Sequence, residues 1–236
     1  MKKVVLFFPS YYSDEAAPPL ALLHLAAPLV EDGWDVHIVD SAVTPDCVSA
    51  VVEACAGATC LGISMVTGPM ITQGVEVARA VRARHPSLPI VAGGWHASIL
   101  PEQTLRSPCF DAVVKGQGEL TFREMAARYA AGERDLTGIA GCFFKRGDDV
   151  VANPPRGYTD INALPRRPFH LVDFEAYARK CGGLRWILYC TSHGCPWDCS
   201  YCSNASVYGR NWKPLLPETA VREMADLTRR YRLGVI

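Results

Sequence analysis

Four of the ten cysteines of this 236-residue chain fall within the fifteen residues CTSHGCPWDCSYCSN, which run from Cys190 to Asn204. Three of them, Cys195, Cys199 and Cys202, are spaced C-x3-C-x2-C, with Tyr201 just before the last. Cys190 stands five residues upstream, and spacing alone does not settle whether it belongs with them. Clustered thiols in a reducing compartment serve metal or redox chemistry more often than structural disulfides. Zinc would take four ligands, usually as two C-x2-4-C pairs a dozen or more residues apart, and the cluster here is a single compact one. Burial of the thiols as small apolar groups conflicts with their polar neighbours Asp198, Ser200 and Ser203. Three thiolates on a short loop, with one iron of an iron-sulfur cluster left open, suit the spacing better.

Around this loop, short apolar runs alternate with longer helical patterns, as in a parallel α/β sheet. Strands are expected at Val4–Phe8, Val36–Val39, Cys60–Met65, Ile90–Ala92 and Ala112–Val114. Helices are expected at Leu20–Asp32, at Pro45–Ala56, across Ile71, Val75, Ala78 and Val81, near Pro101–Leu105 and at Thr121–Ala131. Pro28 should kink or shorten the first of these, and Gly33 suits its C-cap. Such a series predicts an α/β fold, a flavodoxin-like doubly wound parallel sheet over residues 1–145. Ligands of such sheets bind beyond the carboxyl ends of the strands, where the unusual residues fall: Pro9 to Tyr12, Ser64 to Gly68, Gly93 to His96 and Gly116 to Glu119.

A hairpin around Arg146–Asp148 and a proline-rich run from Asn153 to Pro168 form an expected connector, residues 146–183. In a second unit, residues 184–236, a strand at Trp186–Tyr189 should lead into the cysteine loop. Glu218–Tyr231 should be a helix, and Gly234–Ile236 the opening of another strand.

The composition excludes some functions. With 24 basic against 24 acidic residues and no basic run longer than a pair, the chain lacks the electrostatic footprint of a nucleic-acid partner. The N-terminal apolar run stops at Pro9 after five residues, which suits a buried strand better than a signal peptide. No stretch approaches the roughly 18–20 apolar residues of a membrane helix. A cytoplasmic protein without a membrane partner is expected.

With a strand before it and Tyr201 in the aromatic slot, the C-x3-C-x2-C loop resembles the signature of radical S-adenosylmethionine (radical SAM) enzymes. The stretches PPLALLHLAAPL, GGWHASILPE and DAVVKGQGELTF precede it in that order. They resemble the cobalamin-binding domain that comes before the radical SAM barrel in the cobalamin-dependent branch. The resemblance implies a [4Fe-4S] cluster on Cys195, Cys199 and Cys202, its open iron chelated by the amino and carboxylate groups of S-adenosylmethionine. It further implies that Tyr201 lies against the adenine and that Cys190 is a packing residue, not a fourth ligand.

Bound cobalamin is also implied. A histidine lower ligand would need a D-x-H-x-x-G loop after the first strand, and that loop contains no histidine. The run Asp35–Asp40 imitates the first part of this motif but falls in the second strand, so His37 reads as an ordinary strand histidine. The nucleotide tail would lie between Ser64 to Thr67 and Gly93-Gly94, where glycine permits close backbone approach. Ser10, after the first strand, joins this cofactor-binding set. His96 has two readings, a contact to the tail or corrin amides and a surface histidine after a turn. Gly116 and Gly118 are turn residues or part of a corrin-facing loop, a position at a strand's carboxyl end favouring the latter. Glu119 is either a cofactor contact or a first-turn charge stabilised by the helix dipole.

The implied activity is methyl transfer to an unactivated carbon or phosphorus centre. A 5'-deoxyadenosyl radical would abstract hydrogen and methylcobalamin would donate the methyl group. The alternatives are a cobalamin-dependent radical SAM cyclase, ring-contracting enzyme or oxidase, and a non-catalytic cobalamin-binding fragment. The implied partners are a small-molecule or peptide natural-product substrate and an electron donor such as flavodoxin or ferredoxin. Only 34 residues follow Cys202, whereas a full (β/α) barrel takes roughly 250. The second unit is therefore expected to be a truncated beginning of the barrel, mobile or shielded only by docking on the first unit or on another chain.

Overall fold

Every side chain from Val4 to Phe7 is buried, and strand alternation sends them to opposite faces. Val4 and Leu6 enter one apolar cluster, Val5 and Phe7 the other. A strand apolar on both faces belongs in the middle of a covered parallel sheet. The computed structural model, which describes residues 2–9 and 16–236, places this strand, β1 (Lys3–Phe8), between β2 (Asp35–Asp40) and β3 (Cys60–Ser64). β4 (Ile90–Gly93) and β5 (Ala112–Val114) extend the parallel order to 2-1-3-4-5.

Helices α1 (Leu20–Glu31) and α6 (Glu119–Ala130) bury Leu22, Ala26, Phe122 and Met125 on one face. On the other, α2 (Cys47–Ala54) and α3 (Pro69–Arg84) bury Val51, Val77 and Val81. This is the doubly wound arrangement expected from the sequence, and strand order reverses direction between β1 and β3. No helix among the described residues is long and apolar enough to cross a membrane.

Several expectations are corrected. Pro28 does not shorten α1, which runs on to Glu31; the buried proline only removes the amide that the His24 carbonyl would have bonded. The second helix begins at Cys47, not Pro45, because Asp46 caps it by accepting from Ser49 N at 3.2 Å. Residues 94–99, where no helix is expected, form a short helix α4 (Gly94–Ile99) ahead of α5 (Pro101–Arg106).

The hairpin assigned to the connector belongs to the sheet. Its strands β6 (Cys142–Arg146) and β7 (Asp149–Ala152) add antiparallel beside β5, with Val114 opposite Cys142. The sheet therefore has seven strands, and its last strand reaches Ala152.

Beyond the connector come α7 (Phe174–Lys180), β8 (Ser192–Gly194), α8 (Asn204–Tyr208), β9 (Trp212–Pro214) and α9 (Pro217–Tyr231). The expected strand at Trp186–Tyr189 and the expected strand opening at Gly234–Ile236 reduce to one parallel bridge, Trp186 to Val235. A parallel ladder needs cover on both faces, and Leu188 is 59% exposed. The segment is nonetheless docked on the first unit. Leu23 of α1 joins Phe169, Phe174, Ile187, Leu227 and Leu233 in one cluster, and Phe174 stacks on Tyr231 at 3.9 Å between ring centres. Tyr177 Oη donates to the buried Asp40 at the end of β2, at 2.9 Å.

Candidate functional site

The carboxyl ends of β3 and β4 are knitted by their backbones. Met65 N donates to Gly93 O at 2.9 Å, and His96 N donates to Met65 O at 3.1 Å. Gly94 sits between them at φ +84°, where a Cβ would lie 2.7 Å from Met65 O and 2.8 Å from Met65 N. Only glycine fits this crossing without strain. At the end of β5, Gly116 N donates to the buried Ser98 Oγ at 3.0 Å, so α4 and the loop after β5 are tied together.

These strand ends border a cavity of about 410 Å³. Ser64, Gly93, Gly94, Gly116, Gly118 and Glu119 line it from the sheet side, and His24, Cys190, His193, Asn204 and Tyr208 are among the residues lining it elsewhere. Four lining residues carry a buried polar atom without a hydrogen-bond partner: His24 Nε2, Glu119 Oε2, His193 Nδ1 and Asn204 Oδ1. Buried polar atoms are nearly always paired, so this group marks a place for a polar ligand.

Burial shifts the titratable groups of the wall towards their neutral forms. Burial raises the Glu119 carboxyl above its usual range. Burial, then the neighbouring His193 and the charge of Arg167, hold His24 well below an ordinary imidazole; burial and Arg167 lower His193. The two rings touch, with centres 4.5 Å apart. Burial foremost pushes the Tyr208 phenol to about 12, so it remains a donor. Tyr208 meets Trp95 edge-on at 5.6 Å. Two imidazoles, a carboxyl group and a phenol present mixed donors and acceptors, while Ile63, Val91, Val114 and Phe122 line the same space with apolar surface.

The cysteine loop adjoins this cavity. β8 and β9 pair antiparallel, with Gly194 opposite Trp212, and Gly194 has φ +77°, where a Cβ would lie 2.1 Å from Asn211 O. The next residue is Cys195. It is half-buried, Cys199 and Cys202 are exposed, and a turn joins Cys202 N to Cys199 O at 3.0 Å. Asp198 pairs with Arg210 across the loop. Among the described residues no three His, Cys, Asp or Glu side chains converge on a common metal position. The loop thus presents three thiol donors, chemically suited to an iron-sulfur cluster, without a closed cage.

Of the expected cofactor residues, Ser64, Gly93, Gly94, Gly116, Gly118 and Glu119 meet in the cavity wall. Thr67 and His96 bond to one another, Oγ1 to Nδ1 at 3.1 Å, and connect the loops after β3 and β4. Ser10 lies outside the described residues. Tyr201 is 91% exposed. Cys190, expected as a packing residue, is instead exposed and lines the cavity, because no strand forms over 186–189 to bury it. His37 pairs with Asp35 on β2, at 3.1 Å, as an ordinary strand histidine. Sequence reasoning passed over His24, His193, Asn204 and Tyr208. A histidine inside the apolar run LALLHLAAPL was the available signal.

Residues 13–126 match the B12 binding domain family. An uncharacterized methyltransferase of Pyrococcus horikoshii, PH0819, is 32% identical over 222 residues, covering 92% of this chain and 47% of the relative. The solved structure of the cobalamin-dependent S-adenosylmethionine radical enzyme OxsB, with aqua-cobalamin and S-adenosylmethionine bound, superposes with a TM-score of 0.82 at 18% identity. It covers 98% of this chain and 32% of that one. The chain is thus similar to cobalamin-dependent radical SAM enzymes, and residues 13–126 to B12 binding domains. It is also similar to an anaerobic magnesium-protoporphyrin IX monomethyl ester cyclase of Synechocystis, 29% identical over 91% of this chain and 43% of the relative. The chain spans less than half the length of both curated relatives.

Proposed function

We propose that the chain is the cobalamin- and cluster-binding half of a radical SAM methyltransferase acting on an unactivated carbon or phosphorus centre. One observation carries this reading: a single cavity is walled by the strand ends of the B12 domain and by Cys190, Ser192, His193 and Gly194, which lead into Cys195. The residues fit the cofactor. Cobalamin is edged by amides and ends in an apolar base, and this wall combines unpaired polar atoms with an apolar slot.

Ser64, Gly93, Gly94, Gly116, Gly118 and Glu119 would hold cobalamin, and Cys195, Cys199 and Cys202 would hold the [4Fe-4S] cluster with S-adenosylmethionine, Tyr201 against its adenine. When bound, cobalamin supplies a transferable methyl group and the cluster supplies the electron that makes S-adenosylmethionine a source of a hydrogen-abstracting radical. The chain's own residues do the positioning. Gly94 lets the backbone approach, the Glu119 carboxyl faces the cofactor's amides, and the neutral His24 and His193 each offer one donor and one acceptor. The Thr67–His96 pair fixes the two loops. The exposed face of Cys199, Tyr201 and Cys202 is where a small electron donor such as flavodoxin or ferredoxin would dock. A small-molecule or peptide natural product as substrate, and a cytoplasmic location, complete the proposal.

The Synechocystis relative favours a second reading, a cyclase using the same cofactors. Product accounting separates the two. Reconstituted, reduced protein is given S-adenosylmethionine and cobalamin, with Cys199→Ala as control. S-adenosylhomocysteine formed alongside Cys199-dependent 5'-deoxyadenosine supports methyl transfer. The deoxyadenosine alone favours the cyclase type, and a protein that retains no cobalamin overturns both.

A further inference from the structure

A second cavity, of about 220 Å³, lies between the connector and α9; His24 lines both cavities. The charged residues lining the second are Arg166, Arg167 and Arg222 against one carboxylate, Glu223. That carboxylate is already engaged: its Oε2 accepts from Arg167 Nη2 at 2.5 Å and from Tyr189 Oη at 2.8 Å. The Arg167 side chain is only 4% exposed, with its guanidinium 4.1 Å from the centre of the Tyr189 ring, and its Nη1 has no partner.

A guanidinium keeps its charge at any physiological pH, so a buried and unpartnered Nη1 is a donor lacking an acceptor. His24 Nε2, on the same wall, is also buried and unpartnered. The first turn of the 15-residue α9 contributes Thr219 to the lining, and a helix begins with partial positive charge. Surplus positive charge, an orphaned buried guanidinium N–H and a cavity of this size are complementary to a small anion with oxygen acceptors.

We propose that this cavity binds a small oxyanion, the phosphate or carboxylate group of a metabolite, with Arg167 as the buried anchor and Arg166 and Arg222 as outer clamps. The site adjoins the cobalamin cavity, with His24 on their common wall, and its anchor Arg167 lines the second cavity alone.

Titration calorimetry of the full chain with inorganic phosphate, and separately with acetate, at constant ionic strength tests this. One saturable site for either anion is expected, and the anion that saturates identifies the group. Arg167→Lys, which keeps the charge and loses the planar fork, should weaken binding about tenfold. Arg222→Ala should weaken it about threefold, with recovery in Arg222→Lys. Arg229→Ala, farther along the same helix, should leave it unchanged. If Arg167→Lys does not fold, the Arg222 pair decides. Heats that never saturate for either anion, or an affinity unmoved in Arg222→Ala, would overturn the proposal. Displacement of the anion by preloaded cobalamin would also overturn it, since the site would then belong to the cofactor's own phosphodiester.

Discussion

Nine of the ten cysteines divide the molecule into two chemically different regions. In and around the seven-stranded sheet, Cys47, Cys55, Cys60, Cys109 and Cys142 are buried, and burial pushes the thiols of Cys55 and Cys142 to about 12 and that of Cys60 higher still. In the last fifty residues, Cys190, Cys199 and Cys202 are exposed and Cys195 is half-buried. A thiol becomes a ligand or nucleophile only as the thiolate, which burial in apolar surroundings opposes. The same residue type therefore serves as core filling on one side of the cavity and stands as an accessible thiol on the other. What distinguishes them is the local fold: continuous apolar strands in the first region, a glycine-led polar loop in the second.

The largest expected effect follows from this contrast. Under native conditions Cys190, Cys199 and Cys202 should react with an alkylating reagent at least about a thousandfold faster than Cys60 or Cys142, which must wait for the sheet to open. Mass spectrometry of labelled peptides over time checks it, and comparable rates would break the division.

Next in size is packing. Leu6→Ala, at a fully buried β1 position, should cost about 2–5 kcal/mol, whereas Leu188→Ala, at a mostly exposed position, should change stability by no more than about 0.5 kcal/mol. Urea denaturation of both variants gives the comparison.

Gly94→Ala comes third. Positive φ and a Cβ pressed against the Met65 backbone should cost about 1–3 kcal/mol, and cobalamin affinity should fall with it, as read by equilibrium dialysis.

The smallest effect is on pH. A histidine whose folded pKa lies below its unfolded value binds fewer protons folded than unfolded. His24 should therefore destabilise the fold as pH drops below about 6.5, by at most about 1.4 kcal/mol per pH unit. Glu119 and Asp40, whose carboxyls are raised chiefly by burial, act the opposite way nearer pH 4. Denaturation midpoints of the wild type and His24→Asn between pH 5.5 and 7.5 isolate the histidine, and parallel curves would remove it from the account.

How far the sequence could be read differs between the same two regions. Strands buried on both faces announce themselves as apolar runs, so β1 through β5 are legible to within two residues at either end, and the glycines after β4 and β5 mark the cavity. The failures have local causes. α4 begins at two glycines of poor helix propensity and is held by the His96–Met65 backbone bond, a tertiary contact that no window of sequence contains. The Trp186–Tyr189 run is apolar enough for a strand but gains only one bridged residue pair. His24 and His193 lie 169 positions apart, and only the docking of the second region on α1 brings their rings together.

The central claim is that the cavity between these regions holds cobalamin without a histidine ligand. The most direct measurement is an anaerobic titration of the chain with cobalamin, followed by absorption and by electron paramagnetic resonance of the cob(II)alamin form, in the wild type and in His37→Ala, His96→Ala and Gly94→Ala. The account predicts stoichiometric binding, no protein-nitrogen splitting in the spectrum, identical spectra in both histidine variants and weakened binding in Gly94→Ala. A nitrogen splitting that disappears in either histidine variant, or full affinity in Gly94→Ala, would contradict it.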